Sequence, residues 1–141
     1  MIERYESRSF RKIHEHILHL MPPPTARILD IGAGTGRDAA GFAEMGYDVV
    51  AVEPTVEFRR PAQRLHPSPR IQWIDDSLPD LAKLSIFAAA FHVVTMTDVW
   101  MHLDRHQRRQ AMPNVARVVR NGGLLSLALR HGPIPEGRRM F

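Results

Sequence analysis

Residues 28–54 read ILDIGAGTGRDAAGFAEMGYDVVAVEP. A short apolar run leads into three glycines within five residues, a mixed stretch of helical length follows, and a second apolar run ends at an acidic residue. This order predicts a strand, a tight turn, a helix from about residue 37 to 45 and a second strand over 47–52. Strands that are joined through a helix run parallel, so the stretch predicts an α/β fold.

The same alternation extends to both sides of this unit. Apolar residues at helical spacing predict a helix over 8–20, which the three prolines at 22–24 end. The other predicted strands cover 71–74, 91–96 and 124–129, the last after a turn at 121–123, and the other predicted helices cover 56–65, 81–90 and 105–120. Pro61 should kink or shorten the first of these helices, Pro113 should bend the last, and Asp104 should cap it. The pattern predicts a doubly wound, mostly parallel sheet of about five strands with helices on both faces.

Length and composition are typical of a single globular domain. We divide the 141 residues into an N-terminal helical segment (1–24), a core (25–130) and a tail (131–141). Without cysteine, the chain has no thiolate nucleophile, disulfide or cysteine-bound metal. The charged N-terminus does not read as a secretory signal, and no apolar run reaches the roughly 20 residues that span a membrane. We therefore expect a cytoplasmic location and no membrane contact.

The positive charge of the chain raises the question of nucleic-acid binding. The net charge is +4, and eight arginines follow Met101 against only two acidic residues, Asp104 and Glu136. Proteins that bind single strands interleave aromatic side chains with such basic residues so that bases can stack. No aromatic residues are interleaved here, so the sequence favours a solvated, arginine-rich helix face over a nucleic-acid surface.

The glycine-rich turn after the first strand is the strongest candidate binding site. Gly32 and Gly34, on either side of Ala33, let the backbone turn tightly and approach a ligand, and Gly36 lets the next helix start close to the strand. The spacing is G-x-G-x-G, whereas dinucleotide folds use G-x-G-x-x-G to direct a helix at a diphosphate. The turn therefore suits a ligand without a phosphate, and Asp30 at the strand end could attract its ammonium group.

Acidic residues also follow the second and third predicted strands, at the edge where α/β sheets bind ligands. Glu53, next to Pro54, could accept hydrogen bonds from both hydroxyls of a ribose. Asp76 and Ser77 could bind the polar edge of an adenine ring, with Leu78 packed on its face. An Asp-rich turn that caps the following helix is the alternative for this third stretch.

The stretch after the fourth strand offers candidates for the reacting end of the ligand. Met96 and Trp100 could line the pocket there, and His102 is either a general base, a substrate contact or a packed, hydrogen-bonded histidine. The segment around His14 and His16 lacks the H-E-x-x-H spacing, and these two side chains point in different directions on a helix. We predict no metal site.

In their order and spacing these motifs resemble those of the class I S-adenosylmethionine (SAM)-dependent methyltransferases. The likeness covers about residues 25–130 and lies in ILDIGAGTGRDA (28–39), VVAVEP (49–54), IDDSLPDL (74–81), FHVVTMTDVWMHLD (91–104) and VVRNGGLLSLAL (118–129). It implies a Rossmann-like fold, SAM as the cofactor and transfer of a methyl group. By resemblance, Tyr5 would close over SAM, and the residues that hold it would be Asp30, Gly32, Gly34, Glu53, Asp76 and Ser77.

Two features depart from the family pattern. The family usually has aspartate after the phenylalanine that opens the fourth strand, and here that residue is His92. Family members also continue past the fifth strand through another helix and an antiparallel strand pair, whereas this chain ends at Phe141. We therefore expect a C-terminally truncated methyltransferase without the last strands of the family fold. Its fifth strand would be an unpaired sheet edge through which two copies could form a homodimer.

The sequence leaves the methyl acceptor and two other functions open. A small molecule is the expected acceptor because the chain carries no added recognition domain. The chain could instead bind SAM or a partner without turnover, or bind NAD as a Rossmann oxidoreductase, although the glycine spacing speaks against NAD. Release of S-adenosylhomocysteine with candidate acceptors would separate an enzyme from a binding module.

Overall fold

The computed structural model describes residues 2–129, 132–134, 136–137 and 139–141. Its centre is a sheet of five parallel strands in the order β3-β2-β1-β4-β5. The strands are β1 (Arg27–Ile31), β2 (Asp48–Val52), β3 (Ile71–Ile74), β4 (Phe91–Thr97) and β5 (Val119–Ala128). The strand order reverses between β1 and β4, and ligands bind at such a switch point in α/β sheets. The predicted fold class is confirmed.

Helices cover both faces of the sheet. They are α1 (Ile2–Glu6), α2 (Phe10–Leu18), α3 (Arg37–Glu44), α4 (Val56–Leu65) and α5 (Arg105–Val118), with two 3-10 helices at Ala82–Phe87 and Trp100–His102. Because successive strand residues point to opposite faces, Ile28 and Val49 join the apolar cluster that contains Phe42 of α3. Their neighbours Leu29 and Val50 join the cluster that contains residues of α5. The core is thus two apolar layers with the sheet between them.

Three elements differ from their predicted form. The expected helix over 81–90 is a short 3-10 helix, because Leu81 before it is left-handed (φ 46°) and only Leu84 within it is buried. The predicted shortening at Pro61 does not occur, since α4 runs from Val56 to Leu65. A proline removes a single backbone donor, and the other turns of α4 remain. β5 begins at Val119 rather than at 124, and the predicted turn at 121–123 forms an irregularity in its pairing with β4.

The two ends of the chain hold further differences. The predicted helix over 8–20 is shorter, and a separate helix, α1, precedes it. Ser9 ends the break between them by capping α2, where its hydroxyl accepts a hydrogen bond from the Lys12 backbone N–H. Residues 130 and 131, at the predicted boundary between core and tail, lie outside the described residues, as do residues 1, 135 and 138. Within the described part of the chain, no helix has the length and apolar character that crossing a membrane requires.

α5 begins with a reciprocal cap, as predicted at Asp104. The Asp104 carboxylate accepts the Gln107 backbone N–H at 2.8 Å, and the Gln107 side chain accepts the Asp104 backbone N–H at 2.9 Å. We expect Asp104→Ala to lower the free energy of unfolding by about 1 kcal/mol, because it removes an acceptor for a helix N–H. Asp104→Asn should retain most of the stability in urea unfolding. Equal losses in the two variants would contradict this account of the cap.

Candidate functional site

A cleft of about 330 Å³ opens at the carboxyl ends of the strands, where the loops after β1, β2, β3 and β4 meet α1. The predicted site residues that line it are Gly32, Ala33, Gly34, Glu53, Pro54, Asp76, Ser77, Leu78 and His102, together with Tyr5. Apart from Tyr5 of α1, these residues lie in the segments that follow β1, β2, β3 and β4, so the parallel topology brings them together. The cleft also holds residues that the sequence analysis did not single out, among them Phe58, Thr97, Asp98, Val99 and Leu103.

The glycine turn forms one wall of the cleft and is tied to the sheet. The backbone N–H groups of Gly32 and Ala33 both donate to the Val52 carbonyl, at 2.8 and 2.9 Å. Gly32 has φ +73°, and a Cβ on it would lie 2.3 Å from Cγ2 of Val99. Gly34 has φ +56°, and a Cβ on it would meet no atom within 4 Å. Gly32 is thus closely packed, whereas Gly34 faces open space.

Asp30 lies behind this turn, buried to 2% exposure, and does not line the cleft. Its Oδ1 accepts a hydrogen bond from the Thr95 hydroxyl at 2.9 Å, while its Oδ2 has no hydrogen-bonding partner among the described residues. Burial raises the pKa of Asp30 well above its ordinary value, and the nearby Asp38 carboxylate raises it further. An unpartnered buried carboxylate oxygen is costly unless a ligand donates to it.

A buried ion-pair network, which was not predicted from the sequence, lies at the first turn of α3. Arg37 donates to both carboxylate oxygens of Asp38, at 2.7 and 3.1 Å, and its Nη1 donates to the Tyr5 carbonyl at 2.7 Å. The Nε2 of His14, a residue only 2% exposed, lies 3.2 Å from Asp38 Oδ2. Burial works against ionisation of Asp38, but His14 and Arg37 outweigh it and hold the pKa of Asp38 below its ordinary value.

The buried position of His14 has a sequence signal. His14 follows Phe10 by four residues and precedes Ile17 by three, so the three share one face of α2. The ring of His14 packs beside Phe10 and Phe42, with ring centroids 5.1 Å apart in both pairs. His16 of the same helix is exposed. Among the residues that the structure describes, no three His, Asp or Glu side chains gather as a metal site.

The acidic residues after β2 and β3 have different surroundings. Glu53 is buried at the cleft wall, and this burial raises its pKa, although the backbone N–H groups of Thr55 and Gly34 oppose the rise. The two oxygens of Asp76 accept the backbone N–H groups of Ser77 and Lys83, both at 2.8 Å. Asp76 thus has the capping role that was the alternative for this stretch. Each of its oxygens keeps a second lone pair for a ligand.

Besides Asp30, three predicted site residues do not line the cleft. Met96 is fully buried, and Trp100 packs in the same apolar cluster beside α5, which differs from the expectation that both line the pocket. The side chain of Met96 belongs to one layer of the core, while its neighbour Thr97 lies at the cleft. Gly36 has φ +83°, and a Cβ on it would lie 3.0 Å from the Trp73 ring, so its role is packing.

His102 lies at the cleft and is exposed rather than packed. Its Nδ1 is 3.1 Å from the Arg139 carbonyl oxygen. A carbonyl oxygen only accepts hydrogen bonds, so this contact requires a proton on Nδ1 and leaves the lone pair of a neutral ring on Nε2. His92, which stands where the family usually has aspartate, accepts the Arg27 backbone N–H through its own Nδ1 at 3.0 Å.

The chain is similar in sequence and in fold to known methyltransferases. A family model described as a methyltransferase domain matches residues 28–123. An uncharacterised methyltransferase of Mycobacterium tuberculosis is 33% identical over 113 residues, which cover 80% of this chain and 43% of that protein. Rabbit (Oryctolagus cuniculus) glycine N-methyltransferase is 27% identical over 141 residues, covering 82% of this chain and 46% of that protein.

A solved structure shares the fold. The Burkholderia thailandensis 1,6-didemethyltoxoflavin-N1-methyltransferase, with bound 1,6-didemethyltoxoflavin and S-adenosylhomocysteine, has a TM-score of 0.70 at 22% identity. The match covers 88% of this chain and 53% of that chain. The chain spans less than half the length of the two curated relatives, at 43% and 46%. The family match runs from β1 into β5 and includes the glycine turn and every strand that borders the cleft. The chain therefore belongs to the methyltransferase-domain family.

Proposed function

We propose that the chain is the SAM-binding core of a methyltransferase, and that the cleft holds the methyl donor. The observation that carries this proposal is the unpartnered Oδ2 of Asp30 behind a glycine turn whose Gly34 leaves open space. A buried carboxylate oxygen without a donor fits the ammonium group of an amino acid, which Asp30 would bind directly or through a water molecule. The open side of Gly34 fits the close approach of a ligand without a diphosphate.

The other residues of the cleft divide between the parts of this donor. Glu53 would accept hydrogen bonds from the ribose hydroxyls, with Pro54 beside it, and Asp76 with Ser77 would bind the adenine edge. Leu78 would pack on the ring. Gly32 and Ala33 would supply the turn. Tyr5 would cover the ligand from α1, where the Arg37 contact with its carbonyl supports that position. This assignment leaves Asp98 and His102 for the acceptor side.

When bound, SAM supplies an activated methyl group on a sulfonium, which a nucleophile displaces in line. The residues of this chain would then act mainly by orientation, which holds the nucleophile at roughly 3–3.5 Å from the methyl carbon. We assign His102 to hold the acceptor, because its Nε2 lone pair can accept a hydrogen bond from it. Met96 and Trp100 would support the wall of the cleft from the core, without direct contact.

Calorimetric titration with SAM tests this proposal, and pH adds a second readout. SAM is a net cation. The pKa values of Asp30 and Glu53 are raised above their ordinary values of 3.8 and 4.5, so both carboxylates take up protons at a higher pH than usual. As pH falls through this range the carboxylates become neutral, so we expect micromolar affinity (about −8 kcal/mol) at about pH 8 and weaker binding at about pH 5. Binding in that range should release protons, which buffers of different ionisation enthalpy measure.

Two results would contradict the donor site. One is the absence of SAM and S-adenosylhomocysteine binding to folded protein. The other is affinity that stays constant, or rises, as pH falls. Binding of both ligands without methyl transfer to any acceptor would instead favour a binding module without turnover.

We further propose a small-molecule acceptor, a cytoplasmic location and a homodimer. We propose no nucleic-acid partner and no membrane contact. The cleft volume of about 330 Å³ supports an acceptor of modest size. β5 pairs only with β4 among the described strands, so its outer edge offers backbone donors and acceptors to a second copy. Sedimentation across a range of protein concentrations would test the dimer.

A further inference from the structure

Asp98 is an acidic residue of the cleft that the proposed donor site does not use and that, unlike Asp38, has no buried partner. It follows β4 directly, lines the cleft beside Val99, and has φ +55°. Aspartate in the left-handed region costs free energy, and such residues collect at functional sites. Its side chain is 36% exposed, so a ligand in the cleft can reach it.

The structure already contains a cation on this carboxylate. Nη1 of Arg8 lies 2.7 Å from Asp98 Oδ2, in an ion pair across 90 residues of sequence. Arg8 does not line the cleft and stands in the short link between α1 and α2, with its side chain 51% exposed. No residue of α1 is buried. Because an exposed pair of this kind contributes little stability, another cation can replace the guanidinium at small cost.

The charges around the cleft leave Asp98 without another cationic partner among the described residues. Among the residues that the structure describes, Arg37 is the one arginine that lines the cleft, and Asp38 and the Tyr5 carbonyl accept hydrogen bonds from it. The described part of the lining contains no lysine. A carboxylate or phosphate acceptor would therefore meet Asp98 with no free positive charge beside it, which is unfavourable. An amine would meet a matching acceptor.

We propose that Asp98 selects the methyl acceptor, and that the methylated group is an amine nitrogen held in the place that the Arg8 guanidinium takes. This inference rests on the proposed donor site. The amine binds as an ammonium ion and loses one proton to water before the reaction. One N–H of the resulting neutral amine then donates to Asp98, and His102 Nε2 accepts the other. The nitrogen lone pair forms the new N–C bond as the S–C bond breaks, and that electron pair stays on sulfur. One amine proton passes to the Asp98 carboxylate and then to water, which leaves a methylated amine and a neutral thioether.

The test uses two donor-site ligands that differ at the point of methyl transfer. S-adenosylhomocysteine has a neutral sulfur there, whereas sinefungin has a carbon that bears an amine in place of the sulfonium and its methyl. Their affinities are measured by calorimetry for the wild type, Asp98→Asn and Arg8→Ala. Asparagine tolerates the left-handed region and is isosteric with aspartate, so Asp98→Asn should fold. Asp48→Asn is the control, because Asp48 is exposed at the opposite end of β2 and pairs with Arg70.

We expect Asp98→Asn to weaken the affinity for sinefungin by about tenfold or more and to change the affinity for S-adenosylhomocysteine by less than about twofold. The reason is that a charge-assisted hydrogen bond is lost for sinefungin only. Arg8→Ala should increase the affinity for sinefungin relative to that for S-adenosylhomocysteine, because the competing guanidinium is gone. Asp48→Asn should change the affinity for neither ligand.

An unchanged ratio of the two affinities in Asp98→Asn would overturn the inference and leave Asp98 as a tether for α1. Failure of S-adenosylhomocysteine to bind the wild type would overturn the donor site instead, together with this inference that rests on it. The two failures are therefore distinguishable.

Discussion

Glu53→Ala should weaken SAM binding by about 3 kcal/mol, roughly a hundredfold, because two hydrogen bonds from ribose hydroxyls to one carboxylate are lost. Glu53 is buried at the cleft wall, and burial raises its pKa, so the fold does not gain from its charge. The free energy of unfolding should therefore change little, or rise. Calorimetric titration with SAM and urea unfolding of the same samples would separate the two effects.

Two further variants serve as comparisons for Glu53→Ala. Glu53→Gln keeps the volume and one acceptor oxygen, so we expect an intermediate loss of affinity. Asp48→Ala removes an exposed carboxylate from the other end of the same strand, where it pairs with Arg70 at 3.2 Å, and should leave the affinity unchanged. Wild-type affinity in a folded Glu53→Ala protein would show that the ribose binds elsewhere.

Gly32→Ala should lower the free energy of unfolding by about 2–4 kcal/mol, a large share of the roughly 5–15 kcal/mol of an ordinary domain. Two costs add. A Cβ at φ +73° is strained by about 1 kcal/mol or more. The same Cβ would lie 2.3 Å from Cγ2 of Val99, and such overpacking costs about 1–3 kcal/mol. Thermal or urea unfolding of the variant measures the sum.

Gly34 and Val99 provide the matched controls for Gly32→Ala. Gly34→Ala carries similar strain at φ +56° without a clash, so it should lose only about 1 kcal/mol of stability. Its methyl group should nevertheless reduce SAM affinity, because it enters the space assigned to the ligand. Adding Val99→Ala to Gly32→Ala removes the clash and should recover part of the loss. If Gly32→Ala alone were as stable as the wild type, the close packing of this turn would be wrong.

Local sequence determined most of the fold. The apolar runs, the glycine turn and the Asp104 cap each depend on residues within a few positions, and the structure has all three. The position of the acidic residues after β2 and β3 at the cleft was also predictable, because parallel strands always present their carboxyl ends at one edge of the sheet. The helix at 81–90 failed because helical periodicity does not distinguish an α-helix from a 3-10 helix with one buried residue.

At the end of β4, only the tertiary structure decided which side chains face the cleft. Met96 and Thr97 are neighbours, yet the first packs in the core and the second lines the cleft, because adjacent strand residues point to opposite sides. The contacts of Asp38 with His14 and of Arg8 with Asp98 join residues 24 and 90 positions apart. No local propensity encodes such pairs, since they form only when the strand order has brought their loops together.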